Sequence, residues 1–101
     1  MATILQVDFP FSGPWGDTAA GAMADLANVI DQAPGLRWKI WTESERDGVA
    51  GGIYCFDDEA SARAYMAEHE ARLTAFGISG IRAMFLDVND GLTAINHGPV
   101  S

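Results

Sequence analysis

The spacing of apolar residues along the chain changes from one segment to the next, between the spacing typical of strands and that typical of helices. Alternation at period two predicts strands over 3–9 and 36–43, and runs of β-branched and aromatic residues predict strands over 52–56 and 80–88. Apolar residues three and four positions apart predict helices from about 17 to 33 and over 59–76. Residues 92–96 add a predicted helical turn. The order of the main elements is βαββαβ.

Turn and capping residues separate these segments. Pro34 and Gly35 end the first helix, the polar run 44–48 predicts a hairpin turn, and Gly77 ends the second helix. Asp17 or Thr18 is the predicted N-cap of the first helix, and Asp57 or Asp58 that of the second, because a short side-chain oxygen satisfies unpaired N–H groups. The predicted core stripes are Ala19, Ala22, Met23, Leu26, Val29, Ile30 and Ala33 on the first helix, and Ala62, Tyr65, Met66, His69, Leu73 and Phe76 on the second.

This order predicts a single α+β domain over 1–101, with a ferredoxin-like fold. Its four-stranded antiparallel sheet carries both helices on one face. Large apolar residues occur on both faces of the predicted strands, as in Trp38 and Trp41, or Phe85 and Leu86. An open apolar face exceeds what a monomer usually exposes, so we expect a homodimer in which two sheets meet as a dimeric α+β barrel.

Charge and composition exclude several classes of function. The formal net charge is −8, with 6 Lys and Arg against 14 Asp and Glu. This sign disfavours nucleic acid and anionic membranes as partners. The start of the chain lacks a basic signal-peptide region, and no apolar run is long enough to span a bilayer, so a cytoplasmic protein is expected. The single cysteine, Cys55, is expected to be a buried thiol in a reducing compartment.

Metal and nucleotide sites are not expected. The glycine-rich run 48–52 lies between strands and lacks the following helix of a phosphate loop. The run 87–91 has glycine at a ligand position of a calcium loop, and His69 and His97 do not form a zinc-ligand pattern. We therefore expect that the protein uses no cofactor and binds no metal.

His69 is the most informative residue, because it lies in the middle of an apolar helix stripe. One interpretation is a core histidine bonded to a carbonyl or to Gln6, Asp8 or Thr42. The other is that His69 and Tyr65 line a cavity opposite Trp38 that holds a flat aromatic ligand, whose phenolic proton the imidazole accepts.

Several blocks of sequence resemble the YdhR family, which is assigned as monooxygenases. They are FSGPWGD (11–17), PGLRWKIWTE (34–43), AGGIY (50–54), SARAY (61–65) with His69 and Arg72-Leu73, and DVN (87–89) with Ile95-Asn96. The resemblance implies a dimeric α+β barrel in a superfamily that oxidises polycyclic phenols with O₂ and without metal, flavin or haem. Haem-degrading members carry an asparagine on the first strand, where this chain has Gln6 and Asp8.

The expected function is therefore a cofactor-independent monooxygenase acting on an aromatic, quinol-like small molecule. Tyr65 and His69 are its candidate catalytic residues, and Trp38, Gln6 and Met66 its candidate substrate contacts. The alternative is a non-catalytic dimer that binds a hydrophobic small molecule.

Overall fold

The computed structural model describes residues 2–100. Its elements are β1 (Thr3–Pro10), α1 (Gly16–Asp31), β2 (Leu36–Ser44), β3 (Val49–Phe56), α2 (Glu59–Ala75), β4 (Arg82–Asp87) and α3 (Asp90–Ile95). The predicted order βαββαβ and the α+β class are confirmed. In β3 the strand begins three residues earlier than predicted, and the turn after β2 is confirmed at 45–48.

The four strands form one antiparallel sheet in the order β2-β3-β1-β4. Only β2 and β3 are joined directly, by the 45–48 hairpin, and β1 lies between β3 and β4, as in a ferredoxin-like fold. The core lies between the sheet and α2. It is built on Leu5, Val7, Tyr54 and Phe56, each at most 1% exposed.

The opposite sheet face, called here the outer face, is more open. Strand register places Ile40, Ile53, Gln6 and Met84 in one row across it. Ile40 and Met84 are 53% and 55% exposed. Apolar side chains thus occur on both faces of the sheet, as the alternation predicted.

A β-bulge changes which residues of β2 lie on which face. Leu36 pairs with Phe56, but Trp38 pairs with the next residue along β3, Cys55. One extra residue, Arg37, is inserted, and a one-residue change reverses the facing of every later side chain. Lys39 and Trp41 consequently lie on the helix side, whereas Trp38 lies on the outer face.

The C-terminal segment covers one end of the outer face. The Trp38 indole Nε1–H donates to the Pro99 carbonyl at 2.8 Å, and the Arg37 Nη1 donates to the Val100 carbonyl at 2.6 Å. Val88 and Val100 pack there around Cys55, which is fully buried. Cys55 is thus a buried thiol, as predicted, and burial raises its pKa.

The two long helices begin in different ways. Asp58 caps α2 as predicted, since its Oδ1 accepts from the Ser61 N–H at 2.7 Å. The prediction that Asp17 or Thr18 caps α1 is wrong, because both lie inside the helix and Trp15 is its N-cap without a side-chain bond. The Glu43 carboxylate of β2 accepts from the Gly16 N–H instead, at 2.9 and 3.2 Å. A sequence-local rule does not find a partner 27 residues away.

The helix stripes are only partly buried. On α2 the predicted members other than Phe76 are buried, and Phe76 is 70% exposed because the helix has ended at Ala75. Gly77 follows with a positive φ of 85°, as predicted for the helix stop. On α1, all of which the structure describes, Ile30 is the single buried side chain. No helix within 2–100 is long and apolar enough to cross a membrane.

Gly51 is a position where the fold requires glycine. A Cβ at Gly51 would overlap the Val7 carbonyl oxygen of the neighbouring strand, whereas a Cβ at Gly21 of α1 would meet no atom. We predict that Gly51→Ala lowers the free energy of unfolding by about 1–3 kcal/mol through overpacking. The matched control Gly21→Ala raises it by up to about 1 kcal/mol through helix propensity. Urea denaturation followed by circular dichroism measures both, and equal effects would contradict the close approach.

Candidate functional site

A cavity of about 940 Å³ lies between α1, the end of α2 and the helix side of the sheet. Its walls are mainly apolar and aromatic, which is typical of small-molecule sites. They include Phe9 and Phe11 from the end of β1, Met23 and Leu26 from α1, Trp41 and Tyr54 from the sheet, and Leu73 and Phe76 from the α2 end. The polar groups on the wall include Lys39, Thr42, Glu43 and His69.

The sequence of α1 explains why this space stays open. The helix is held at its start by the bond from Gly16 to Glu43 and near its end by Ile30 in the core. Between these points its cavity-lining residues are mostly alanines: Ala19, Ala20, Ala22, Ala24 and Ala27. Their side chains are too short to reach the sheet, so the helix spans the cavity instead of filling it.

A chain of hydrogen bonds joins three aromatic side chains at the α2 side of the cavity. The Tyr65 hydroxyl donates to the Tyr54 hydroxyl at 3.0 Å, and the Tyr54 hydroxyl lies 3.4 Å from Nε2 of His69. The rings of Tyr65 and His69 stack with centroids 5.1 Å apart, because the two residues are one helical turn apart on α2. The pair predicted from the stripe is therefore brought together, and Tyr54 completes it.

Arg72 determines which nitrogen of His69 carries the proton. Its Nη2 lies 3.1 Å from the His69 Nδ1, and a guanidinium only donates, so Nδ1 is the acceptor. Nε2 then carries the hydrogen and donates towards Tyr54. Burial, with the nearby positive charges of Lys39 and Arg72, lowers the pKa of His69 to about 4. His69 is neutral at pH 7, and both its ring nitrogens have partners within the protein.

Of the three bonded side chains, Tyr54 and His69 line the cavity, whereas Tyr65 does not. The Tyr54 oxygen accepts from both Tyr65 and His69, so its own O–H has no acceptor among these residues. Burial raises the pKa of both tyrosines, so both hydroxyls stay protonated at neutral pH. Proton acceptance by His69 stays a prediction, since its two ring nitrogens would first have to leave Arg72 or Tyr54.

None of the three predicted substrate contacts lines the cavity. The expectation that Trp38 faces His69 is wrong, because the bulge at Arg37 turns Trp38 to the outer face. Gln6 also lies on that face, exposed and paired with Ile53 and Met84. Met66 is 5% exposed and packs into the core cluster beside the cavity. Asp8 and Thr42 do not bond His69 either, since Tyr54 and Arg72 are its partners.

Sequence reasoning missed Lys39, Trp41, Tyr54 and Arg72. Lys39 carried a signal, because it is the single lysine of the chain and stands within a strand rich in tryptophan. Alternation counted from Leu36 does not reveal that Lys39 and Trp41 lie on the helix side of the sheet, because the bulge at Arg37 shifts that alternation by one residue. Tyr54 and Arg72 become informative only when the register and the packing of α2 are known.

Among residues 2–100, no group of three or more His, Cys, Asp or Glu side chains is placed to hold a metal ion.

A comparison with models of protein families finds a match over nearly the whole chain. The family model described as "Putative mono-oxygenase ydhR" matches residues 4–99. No curated protein matches the chain.

The hydrogen-bond chain predicts unequal effects of two matched substitutions. Tyr54→Phe leaves the Tyr65 O–H and the His69 Nε2–H without their acceptor, and should lower the free energy of unfolding by about 2–3 kcal/mol. Tyr65→Phe removes one donor and leaves the His69 contact, and should cost about 1 kcal/mol. Both variants keep the buried ring. Chemical denaturation measures the difference, and a larger loss for Tyr65→Phe would contradict the assignment of Tyr54 as the shared acceptor.

Proposed function

This chain belongs to the ydhR family, and from that membership we propose that it is a cofactor-independent monooxygenase. Its substrate is an aromatic, quinol-like molecule with a phenolic hydroxyl, and its oxidant is O₂. The observation that carries the proposal is the aromatic-walled cavity of about 940 Å³ onto which Tyr54 and His69 open, with Tyr65 hydrogen-bonded to Tyr54 behind the wall.

The lining of the cavity supports an aromatic substrate. Trp41 takes the stacking role first expected of Trp38, since it lines the cavity on the helix side of the sheet. The Tyr54 O–H, held by His69 and Tyr65, donates to the substrate oxygen. Tyr65 and His69 thus act as positioning residues that orient Tyr54. This arrangement fixes a flat ring by its face and by its hydroxyl.

The chemistry requires the substrate to be its own reductant. Loss of the hydroxyl proton gives an electron-rich phenolate, whose ring carbon transfers electrons to O₂ and forms a C–O bond. In a hydroxyanthrone a ring CH₂ becomes C=O, so that CH₂ plus O₂ gives C=O plus H₂O. The protein contributes orientation, a hydrogen-bond donor at the developing oxyanion and apolar walls that exclude water.

We also propose that the chain works as a homodimer joined through the outer face. The row of Ile40, Ile53 and Met84, in which Ile40 and Met84 are exposed and Ile53 is half-buried, offers apolar area to a second copy related by a twofold axis. The charges of the neighbouring row are an ion pair, Arg82 with Asp8 at 2.7 Å. Two copies of a chain with net charge −8 can therefore approach through this face with little repulsion.

The oxidation is tested with a hydroxyanthrone as substrate. We predict O₂ uptake equal to the quinone formed, unchanged by a metal chelator and by exhaustive dialysis of the protein. Ala19→Trp places a large ring into the cavity from α1 and should lower the rate at least about tenfold. Ala71→Trp, on the exposed side of α2, is the matched control and should keep the rate.

Absence of uptake across hydroxyanthrones and naphthols would overturn the oxidation. Saturable quenching of tryptophan fluorescence without turnover would then support the alternative, a non-catalytic binding protein for hydrophobic small molecules.

The dimer is tested by light scattering on the 10.8 kDa chain. We predict a particle of twice that mass at micromolar concentration. Met84→Glu should shift it to monomer, because it places a charge in the apolar row of the proposed interface. Val29→Glu is a matched control, since Val29 is similarly exposed at 60% but lies on α1. A monomeric wild-type protein would contradict the dimer.

A further inference from the structure

Lys39, the single lysine of the chain, lies on the wall of the cavity among aromatic rings. Its Nζ is 3.4 Å from the ring centroid of Trp41 and 4.6 Å from that of Tyr54. The side chain is half-buried on the helix side of β2. The ammonium group is therefore placed where the ring of an aromatic ligand would also lie.

Within residues 2–100, no carboxylate forms an ion pair with Lys39. The ion pairs among residues 2–100 are Arg37–Asp57, Arg63–Glu59 and Arg82–Asp8. The Glu43 carboxylate also lines the cavity, but it forms no ion pair with Lys39 and instead accepts from the Gly16 N–H at the start of α1. A cation removed from water without a counter-ion is costly, so an anion bound in the cavity would be strongly stabilised.

Arg72 adds a second positive charge beside the first. Its Nη2 is bonded to His69, and its Nε is buried without a hydrogen-bond partner in the described part of the chain. Lys39 on the cavity wall and Arg72 beside His69 are thus both positive, and neither forms an ion pair within residues 2–100. These charges point to a ligand that is anionic when bound.

We infer that Lys39 is the catalytic base and the counter-ion of the substrate, and that the cavity selects aromatic molecules with an acidic hydroxyl. The inference rests on the proposed function and names its proton acceptor. The substrate O–H bond breaks, an N–H bond forms at Nζ, and the electron pair stays on the oxygen as a phenolate. The resulting ammonium remains beside that phenolate, while Tyr54 donates to it.

The environment of Lys39 suits this exchange. Burial, together with the charge of Arg72, lowers the pKa of Lys39 to about 7, so the neutral amine is abundant at neutral pH. His69 and Arg72 face it from α2, Tyr54 from β3 and Glu43 from β2, and the cavity walls from α1 and β1 carry no ionisable side chain. A bound phenolate should raise the pKa of Lys39, since an opposite charge favours the ammonium form.

The test uses para-nitrophenol, whose phenolate is yellow and whose ionisation state can therefore be read directly while it is bound. Lysine-selective ¹³C labelling of the full chain gives one side-chain signal, because Lys39 is the only lysine. We expect this signal to titrate near pH 7 in the free protein and at higher pH with nitrophenol bound. The bound nitrophenol should ionise at lower pH than the free compound.

Three variants separate the two roles of Lys39. Lys39→Met should weaken nitrophenolate binding roughly tenfold or more and abolish the change in its ionisation. Lys39→Arg keeps the positive charge, so it should retain nitrophenolate binding. It should also lose the rise in hydroxyanthrone oxidation as the pH increases through about 7, because a guanidinium does not accept a proton. Arg46→Met removes an exposed cation from the hairpin turn and should change neither property.

Binding and ionisation are read without turnover, so they remain informative if no oxidation is found. Nitrophenol that ionises at Lys39 supports the anion site even where O₂ uptake is absent, and then the monooxygenase proposal alone fails. Equal affinity and equal ionisation in wild type and Lys39→Met would overturn the inference. A lysine signal near its ordinary value of 10.5 that nitrophenol does not move would do the same.

Discussion

The gap between α1 and the sheet is the constraint on which the site depends. A helix fixed at both ends and lined with alanines cannot collapse onto the strands beneath it, so apolar surface stays unfilled. Unfilled space beside a core costs stability, because the walls lose packing partners. The fold tolerates this because α2 and the inner rows of β1 and β3 supply a separate, well-buried core. Stability is concentrated on one half of the sheet and leaves the other half available for a ligand.

The sign of the charge differs between the surface and the cavity. A net charge of −8 repels anions at long range, whereas Lys39 and Arg72 attract them once they are inside. Under the proposed function, a neutral phenol would cross the first region without penalty and become an anion only in the second. Deprotonation after entry would reconcile an acidic protein with an anionic reacting species.

Local patterns predicted what depends on neighbours in sequence. The strand and helix order, the Asp58 cap, the stop at Gly77 and the burial of Tyr65 with His69 follow from periodicity and turn chemistry. Contacts between distant segments were not predictable in this way. Glu43 at the start of α1, and Tyr54 between Tyr65 and His69, depend on strand register. Trp38 was placed wrongly because facing along β2 was extrapolated through a bulge that periodicity does not reveal. Gln6 lies on β1, whose regular alternation puts it on the face opposite Leu5 and Val7.

The bulge at Arg37 also determines how β2 responds to a change in chain length. Leu36 and Trp38 pair with two consecutive residues of β3, so loss of Arg37 would leave a regular ladder and the same facing for every later residue. Lys39 and Trp41 would stay on the helix side, and Ile40 on the outer face. The pairing of β3 with β1 is regular from end to end and has no unpaired residue to absorb a deletion. The extra residue thus gives β2 a tolerance to the loss of one codon that the neighbouring strand lacks.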